Sequence, residues 1–239
     1  MKRLLIAIAA LIAIVGVSAA QWTGVYNPML LQQPGAGCVT STFASNATVG
    51  STSSNTFSTQ AISTASSTRY VVVGSIIRGA GITTTAMTIG GVAASSVVAS
   101  AFADGNLSFW VANVPTGTTA DIAVTYSGST VVSGIGTWAT YDLGSTAVFN
   151  SGSSTANPAS INLNVPACGV GIGIGLELDN GPNATWTGLT EDFDAATSGG
   201  GRTYTGASKV FAAAQTPLAV TVTWGTFSTA NVLAASWGP

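Results

Sequence analysis

Histidine is absent from this chain, and Asp, Glu, Lys and Arg together make up only 6% of its 239 residues. Histidine is the most common acid-base catalyst and a frequent metal ligand in proteins. Its absence excludes a histidine-activated nucleophile and a Ser-His-Asp triad, and the sequence has no nucleophile-elbow motif. The composition therefore predicts a protein that is not an enzyme.

The first 20 residues form a leader-like segment. Lys2 and Arg3 precede an apolar run over 4–17, and the small residues of 18–20 follow it. This order is typical of a secretory signal peptide, here an apolar helix cleaved after Ala20. A retained hydrophobic anchor is the alternative, because the apolar run and the small residues after it, 4–20, together span about 17 residues, the lower limit for crossing a bilayer.

Cleavage would leave an acidic protein. Without Lys2 and Arg3, four basic and eight acidic residues remain, a net charge of −4. Such a surface offers no basic patch for nucleic acid or for anionic lipid. We therefore expect a secreted or cell-surface location, with no nucleic-acid partner and no membrane contact once the leader is removed.

The two cysteines, Cys38 and Cys168, leave two alternatives open. In an exported protein they can form one disulfide, which the loop-entropy argument values at roughly 4–5 kcal/mol. They can equally be separate thiols, one in a linker and one beside an apolar strand.

Residues 21–55 are interrupted by Pro28 and Pro34 and are then rich in Ser, Thr, Asn and Gly. Such a composition does not bury much apolar area, so it predicts an irregular arm.

The remaining segment, 56–239, predicts one β-sandwich domain. Short runs rich in β-branched and aromatic residues alternate with turn residues, and no long helical periodicity follows the leader. The pattern favours an all-β, antiparallel, jelly-roll-like sandwich. The runs are 56–62, 70–78, 83–89, 93–101, 107–113, 120–126, 130–141, 161–165, 169–178, 203–211, 218–224 and 232–237.

Two glycine patterns refine this prediction. Gly90 and Gly91 lie between two β-branched runs, which predicts a two-residue hairpin turn with positive φ. Glycine also takes every second position over 169–175, which predicts a strand with one bare face. Another backbone, an aromatic ring or a ligand can approach such a face closely. The alternative, which we favour, is simply a tightly packed central strand.

Acidic residues cluster late in the chain and are candidate calcium ligands, because Ca²⁺ prefers carboxylate and amide oxygens. No EF-hand spacing is present, and a pair of solvated turns is the alternative to a calcium site. Calcium is the one cofactor that the sequence suggests. A glycosidase carboxylate pair would draw on the same residues, which are too close in sequence to favour it. The candidates are Glu177, Asp179, Glu191, Asp192 and Asp194.

Trp186 is the one tryptophan beside this acidic segment, and a tryptophan can serve as a stacking platform for a sugar. With Asn183 it forms the candidate ligand-binding pair. A core position for Trp186 is the alternative.

Several segments resemble uncharacterised β-sandwich proteins from bacteria and their phages or prophages. The segments are 72–78, 87–94, 109–125, 186–194 and 233–239. The resemblance implies a virion-associated or cell-surface β module and carries over no active-site residue. The leader departs from typical virion proteins, which assemble without a signal peptide.

We therefore expect an exported, non-enzymatic structural or interaction protein of a surface, fibre or virion. Its low charge and its Thr- and Val-rich strands predict sheet edges that associate easily, so self-association is an expected partner interaction. A surface protein or a glycan is the other expected partner. The alternative function is a secreted carbohydrate-binding module with a calcium-supported acidic loop.

Overall fold

The computed structural model describes residues 37–178, 184–197, 202–225 and 229–239. Over these ranges the protein is all-β, every strand pairing is antiparallel, and no helix occurs. No helix that could span a membrane is found in the described part of the chain. The predicted leader and the first part of the predicted arm lie outside the described residues.

The first half of the described chain forms two sheets. Sheet I has the strand order β1-β9-β3-β7-β6, and sheet II has the order β2-β8-β4-β5. The strands are β1 (Thr40–Val49), β2 (Ser54–Ala61), β3 (Arg69–Arg78), β4 (Thr84–Ile89), β5 (Val92–Ala93), β6 (Ser95–Phe102), β7 (Gly105–Asn113), β8 (Thr119–Tyr126) and β9 (Val132–Tyr141).

The second half forms two more sheets. Sheet III has the order β10-β17-β12-β15-β14, and sheet IV has the order β11-β16-β13. The strands are β10 (Asn150–Ser154), β11 (Ala159–Val165), β12 (Gly169–Glu177), β13 (Thr185–Thr187), β14 (Thr190–Ala196), β15 (Thr203–Phe211), β16 (Gln215–Thr223) and β17 (Ala230–Trp237).

The four sheets stack in the order II, I, III, IV, with a hydrophobic core between each adjacent pair. Side chains alternate across a strand, so central strand β3 contributes Val72 and Ile76 to the core between sheets I and III. Its neighbours Val71 and Val73 enter the core between sheets I and II. The third core, between sheets III and IV, contains Trp186, Val220 and other buried residues. Sheets I and III are thus covered on both faces, which explains why their central strands β3 and β12 are buried along nearly their whole length.

The two halves repeat one topology. In each half the first strand lies at one edge beside the last strand, and the third strand is central. Sheet III reproduces the order of sheet I strand by strand, and sheet IV reproduces the first three strands of sheet II. This repeat is not visible in the sequence, because strands at equivalent positions share burial but little sequence, as β3 and β12 illustrate.

The chain enters and leaves the described stack at the same end. Val39 donates its backbone N–H to Cys168 O over 2.9 Å, next to the first residue of β12. Trp237, at the end of β17, pairs with Val170 of β12. We call this end the entry pole.

The structure differs from the sequence predictions at four places, all of them edge strands. Residues 40–49, within the predicted irregular arm, form β1. Strands β10, β13 and β14 were also not predicted. Each lies at the edge of its sheet and is rich in polar residues, so it lacks the apolar alternation of an interior strand. The segment predicted as a single two-sheet sandwich contributes to four sheets.

The predicted hairpin turn at Gly90 and Gly91 is confirmed. Ile89 pairs with Val92 across a two-residue loop, and the φ angles of the two glycines are 59° and 79°. Side chains are rarely tolerated at these angles, which is why glycine occupies both positions.

Candidate functional site

The junction between sheets I and III concentrates the chemically distinctive residues of the molecule. A disulfide joins Cys38, just before β1, to Cys168, just before β12. It therefore connects the first half to the second at the entry pole, across 130 positions of sequence. Val39, the residue after Cys38, is fully buried in the same core.

An aromatic cluster fills the middle of this junction. Phe193 of β14 lies 5.2 Å from Phe43, 5.3 Å from Tyr204 and 6.1 Å from Trp138, measured between ring centroids. Gly206 makes room for it, because a Cβ at that position would lie 2.3 Å from the Phe193 ring. The cluster thus interlocks strands of both halves.

Side-chain hydrogen bonds between described residues also cross the same junction. The indole N–H of Trp138 donates to Asp192 Oδ2 over 2.7 Å. The Tyr204 hydroxyl donates to Asn46 Oδ1 over 2.8 Å, and the Asn231 amide donates to Ser100 Oγ over 3.2 Å. Burial raises the pKa of Tyr204 to about 12, so its hydroxyl stays protonated and remains a donor at physiological pH.

Asp192 reaches Trp138 because β14 is bulged. Glu191 pairs with Ala207 and Phe193 pairs with Gly206, so Asp192 is an extra residue without a partner on β15. A bulge places successive side chains off the normal alternation and can re-aim one of them. Burial raises the pKa of Asp192, while hydrogen bonds from Trp138 and Ser208 lower it.

Asp194 is held from the other side of the same strand. Its Oδ2 accepts the Ala184 backbone N–H over 2.7 Å, just before β13 of sheet IV. Burial raises the pKa of Asp194 to about 6, the bond from Ala184 opposes this, and the charge of Glu191 adds to it. Burial also raises the pKa of Glu191.

These contacts bear on the predicted calcium site. Asp192 is bonded toward sheet I and Asp194 toward sheet IV, so the two carboxylates diverge. Glu177 is fully buried at the end of β12. Within the described ranges no three acidic or cysteine side chains come close enough to hold a metal ion. Asp179, the remaining candidate ligand, lies outside the described residues.

Trp186, predicted as half of a ligand-binding pair, is a core residue. It is 8% exposed, and its indole N–H donates to Thr205 Oγ1 over 2.8 Å. Its ring covers the bare glycine face of β12, where a Cβ on Gly173 would lie 2.6 Å from it. Trp186 therefore takes the core position that the sequence analysis gave as the alternative to a ligand-binding role. Asn183, its predicted companion, lies outside the described residues.

The glycine-alternating strand matches its prediction. β12 is the central strand of sheet III, and the approaching group is the aromatic ring of Trp186 together with Leu189.

Sequence reasoning missed one buried cation. Arg69 is fully buried at the start of β3, and its guanidinium donates to four backbone carbonyls. The acceptors are Val114 O at 2.8 Å, Ile62 O at 3.1 Å, Ser63 O at 2.8 Å and Thr116 O at 2.7 Å. An arginine immediately before a long apolar run was the available signal, since it marks a charge that the fold must accommodate.

Edge strands are protected by bulges more than by charge. Of the edge strands, only β14 contains charged residues; β1, β2, β5, β6, β10, β11 and β13 contain none. Four edge strands, β1, β2, β6 and β14, carry an extra residue relative to their neighbour. Bulges twist an edge away from a flat pairing geometry. The closed molecule, in which β1 pairs with β9 of its own chain, is therefore better protected from edge-to-edge pairing than its composition predicted.

Comparison of the chain with protein-family models, with curated proteins and with solved structures finds no match.

Proposed function

We propose that this chain is an exported, non-enzymatic structural and interaction module, displayed at a cell surface or built into a fibre or virion. The single observation that carries the proposal is how the molecule uses its few reactive side chains. Asp192, Asp194 and Trp186 each bond a neighbouring layer of the stack. The side chains that the sequence offered as ligand-binding candidates thus form hydrogen bonds that hold the layers of the fold together.

The resemblance to phage-type and bacterial surface β proteins supports the same setting, and the leader favours export over assembly in the cytoplasm. A disulfide fits this compartment, because disulfides persist in oxidising environments. The disulfide lies at the entry pole, which suits a module that is attached at that end, with its sides and its opposite end directed outward.

We further propose that each half is a jelly roll. The orders β1-β9-β3-β7 and β2-β8-β4-β5 support this, since they are the orders expected when two Greek keys form two facing sheets. The orders β10-β17-β12-β15 and β11-β16-β13 repeat them. On this proposal the gap between Tyr141 and Asn150 separates two sandwiches.

Intact mass of the native protein recovered outside the cytoplasm tests the proposal. We expect a chain that begins at Gln21 and lacks two hydrogen atoms relative to the reduced form, because Cys38 and Cys168 are joined. A chain that keeps residues 1–20, stays in the cytoplasm and has two free thiols would contradict export.

A carbohydrate-binding function remains the alternative proposal, and the buried position of Trp186 counts against it. A glycan array run with and without a calcium chelator separates the two. A chelator-sensitive glycan signal would favour the alternative, and no signal in either condition would remove it.

A further inference from the structure

Strand β1 has one strand neighbour and is less buried than that neighbour. None of its ten residues is buried, whereas nine of the ten residues of β9 are. β1 pairs with β9 alone, because it is the edge strand of sheet I. Strands with little buried area and one neighbour open at low free-energy cost.

The edge of β9 that pairs with β1 can pair with another strand once β1 leaves it. β9 pairs with β3 over ten consecutive positions without a bulge, and it contains no charged residue. A long, regular, uncharged edge of this kind is a template for another strand. The bulges that protect the closed molecule therefore do not protect the edge of β9.

We propose that the β9 edge is a docking site for β1 of a second copy of this chain, so that two copies exchange their first strands. The Cys38–Cys168 disulfide, when formed within one chain, locks β1 in place and opposes the exchange. This inference deepens the proposed function, because it names a second copy of this chain as the partner of the interaction module, and it rests on that proposal for its biological setting.

An exchanged pair keeps the contacts of the closed form. The β1–β9 register, the burial of Val39 and its N–H bond to Cys168 O would all be made between copies. The chain would turn at Gly50, where an added Cβ meets nothing within 4 Å. Thr52, the second residue after it, keeps its bonds to Thr130 and so anchors the rest of the first half.

Two complementary variants of the full chain test the exchange. C38S retains only Cys168, and C168S retains only Cys38. We would reduce both, mix them and oxidise them with oxidised glutathione, which accepts the two electrons and two protons released when the thiols join. Mass spectrometry of the cross-linked peptides then counts the disulfide dimers.

Strand exchange predicts that dimers with a Cys38–Cys168 bond exceed both symmetric dimers severalfold. Prolines in the C168S chain provide the control. Consecutive N–H groups alternate toward and away from β9, so A47P/T48P removes at least one ladder hydrogen bond. A44P places proline at the bulge residue, which has no partner on β9.

We expect A47P/T48P to abolish the excess of mixed dimers and A44P to preserve it. Dimers in the proportions of random thiol pairing, or an excess unaffected by A47P/T48P, would overturn the proposal. If A47P/T48P does not fold, the ratio in the unsubstituted mixture still decides. Random pairing of the thiols would contradict strand exchange without affecting the proposal of an exported module. A retained leader would contradict export without affecting strand exchange.

Discussion

The indole N–H of Trp138 donates to Oδ2 of Asp192 over 2.7 Å, and this bond joins the last strand of the first half to an edge strand of the second. Trp138 is fully buried, and Asp192 is the bulge residue of β14. The bond therefore depends on both halves being stacked. It links a local backbone irregularity to the assembly of the whole molecule.

Replacing Trp138 with Phe should destabilise the protein while keeping an aromatic ring in the cluster. The substitution leaves the partly buried Asp192 carboxylate without its indole donor, at a cost of about 1–3 kcal/mol, and adds a small cavity. Urea unfolding monitored by the fluorescence of the remaining tryptophans measures this loss. An unchanged unfolding midpoint would show that the bond contributes nothing.

Gly173→Ala tests the contact between β12 and the Trp186 ring. The new Cβ would lie 2.6 Å from the ring, so the ring or the strand must shift. Overpacking of this kind costs about 1–3 kcal/mol. Gly37→Ala is the matched control, because a Cβ there meets nothing within 4 Å. Equal thermal midpoints for the two variants would contradict the packing described for Trp186.

Asp194 should make the protein less stable as pH rises. Its pKa is raised to about 6 in the folded state, so its stabilising contribution is complete below the ordinary carboxyl range and is lost as pH rises through about 6. Asp194→Asn keeps an oxygen that can accept the Ala184 N–H and removes the charge. We expect the variant to match the wild type near pH 4 and to be more stable near pH 8.

Urea midpoints at the two pH values make this comparison. Glu191 and Asp192, whose pKa values burial also raises, contribute in the same direction and remain in the variant. A variant that is less stable than the wild type near pH 8 would mean that the ionised carboxylate stabilises the fold, contrary to the expectation.

Arg69→Met should be the most disruptive single change at a charged position. It leaves four buried or partly buried carbonyls without their guanidinium donor, at a cost on the order of 3 kcal/mol. Arg78→Met, at the other end of β3 and partly exposed, is the control. Similar losses for both variants, measured by chemical denaturation, would contradict the role given to Arg69.

The interior of this fold was readable from sequence. The run 70–78 is rich in β-branched residues because both faces of its sheet are buried. The Gly90–Gly91 turn was readable for a different reason, since only glycine accepts its backbone angles without strain. Local chemistry determined both features.

Four edge strands and the hydrogen bonds between the layers could not be predicted from the sequence. β1 and β14 are half-exposed, so their polar residues look like those of a loop. Asp192 and Trp138 are 54 positions apart, and their contact depends on a bulge and on the stacking of two halves. The sequence consequently left the acidic cluster as either calcium ligands or solvated turns, whereas Asp192 and Asp194 bond to different layers.

Hydrogen exchange followed by mass spectrometry tests most directly the claim that the two halves form one structural unit. We predict that β3 and β12, the central strands of sheets I and III, exchange slowest and at similar rates, and that β1 exchanges first among the long strands. Fast exchange throughout one half while the other stays protected would show two independent domains and would contradict the account.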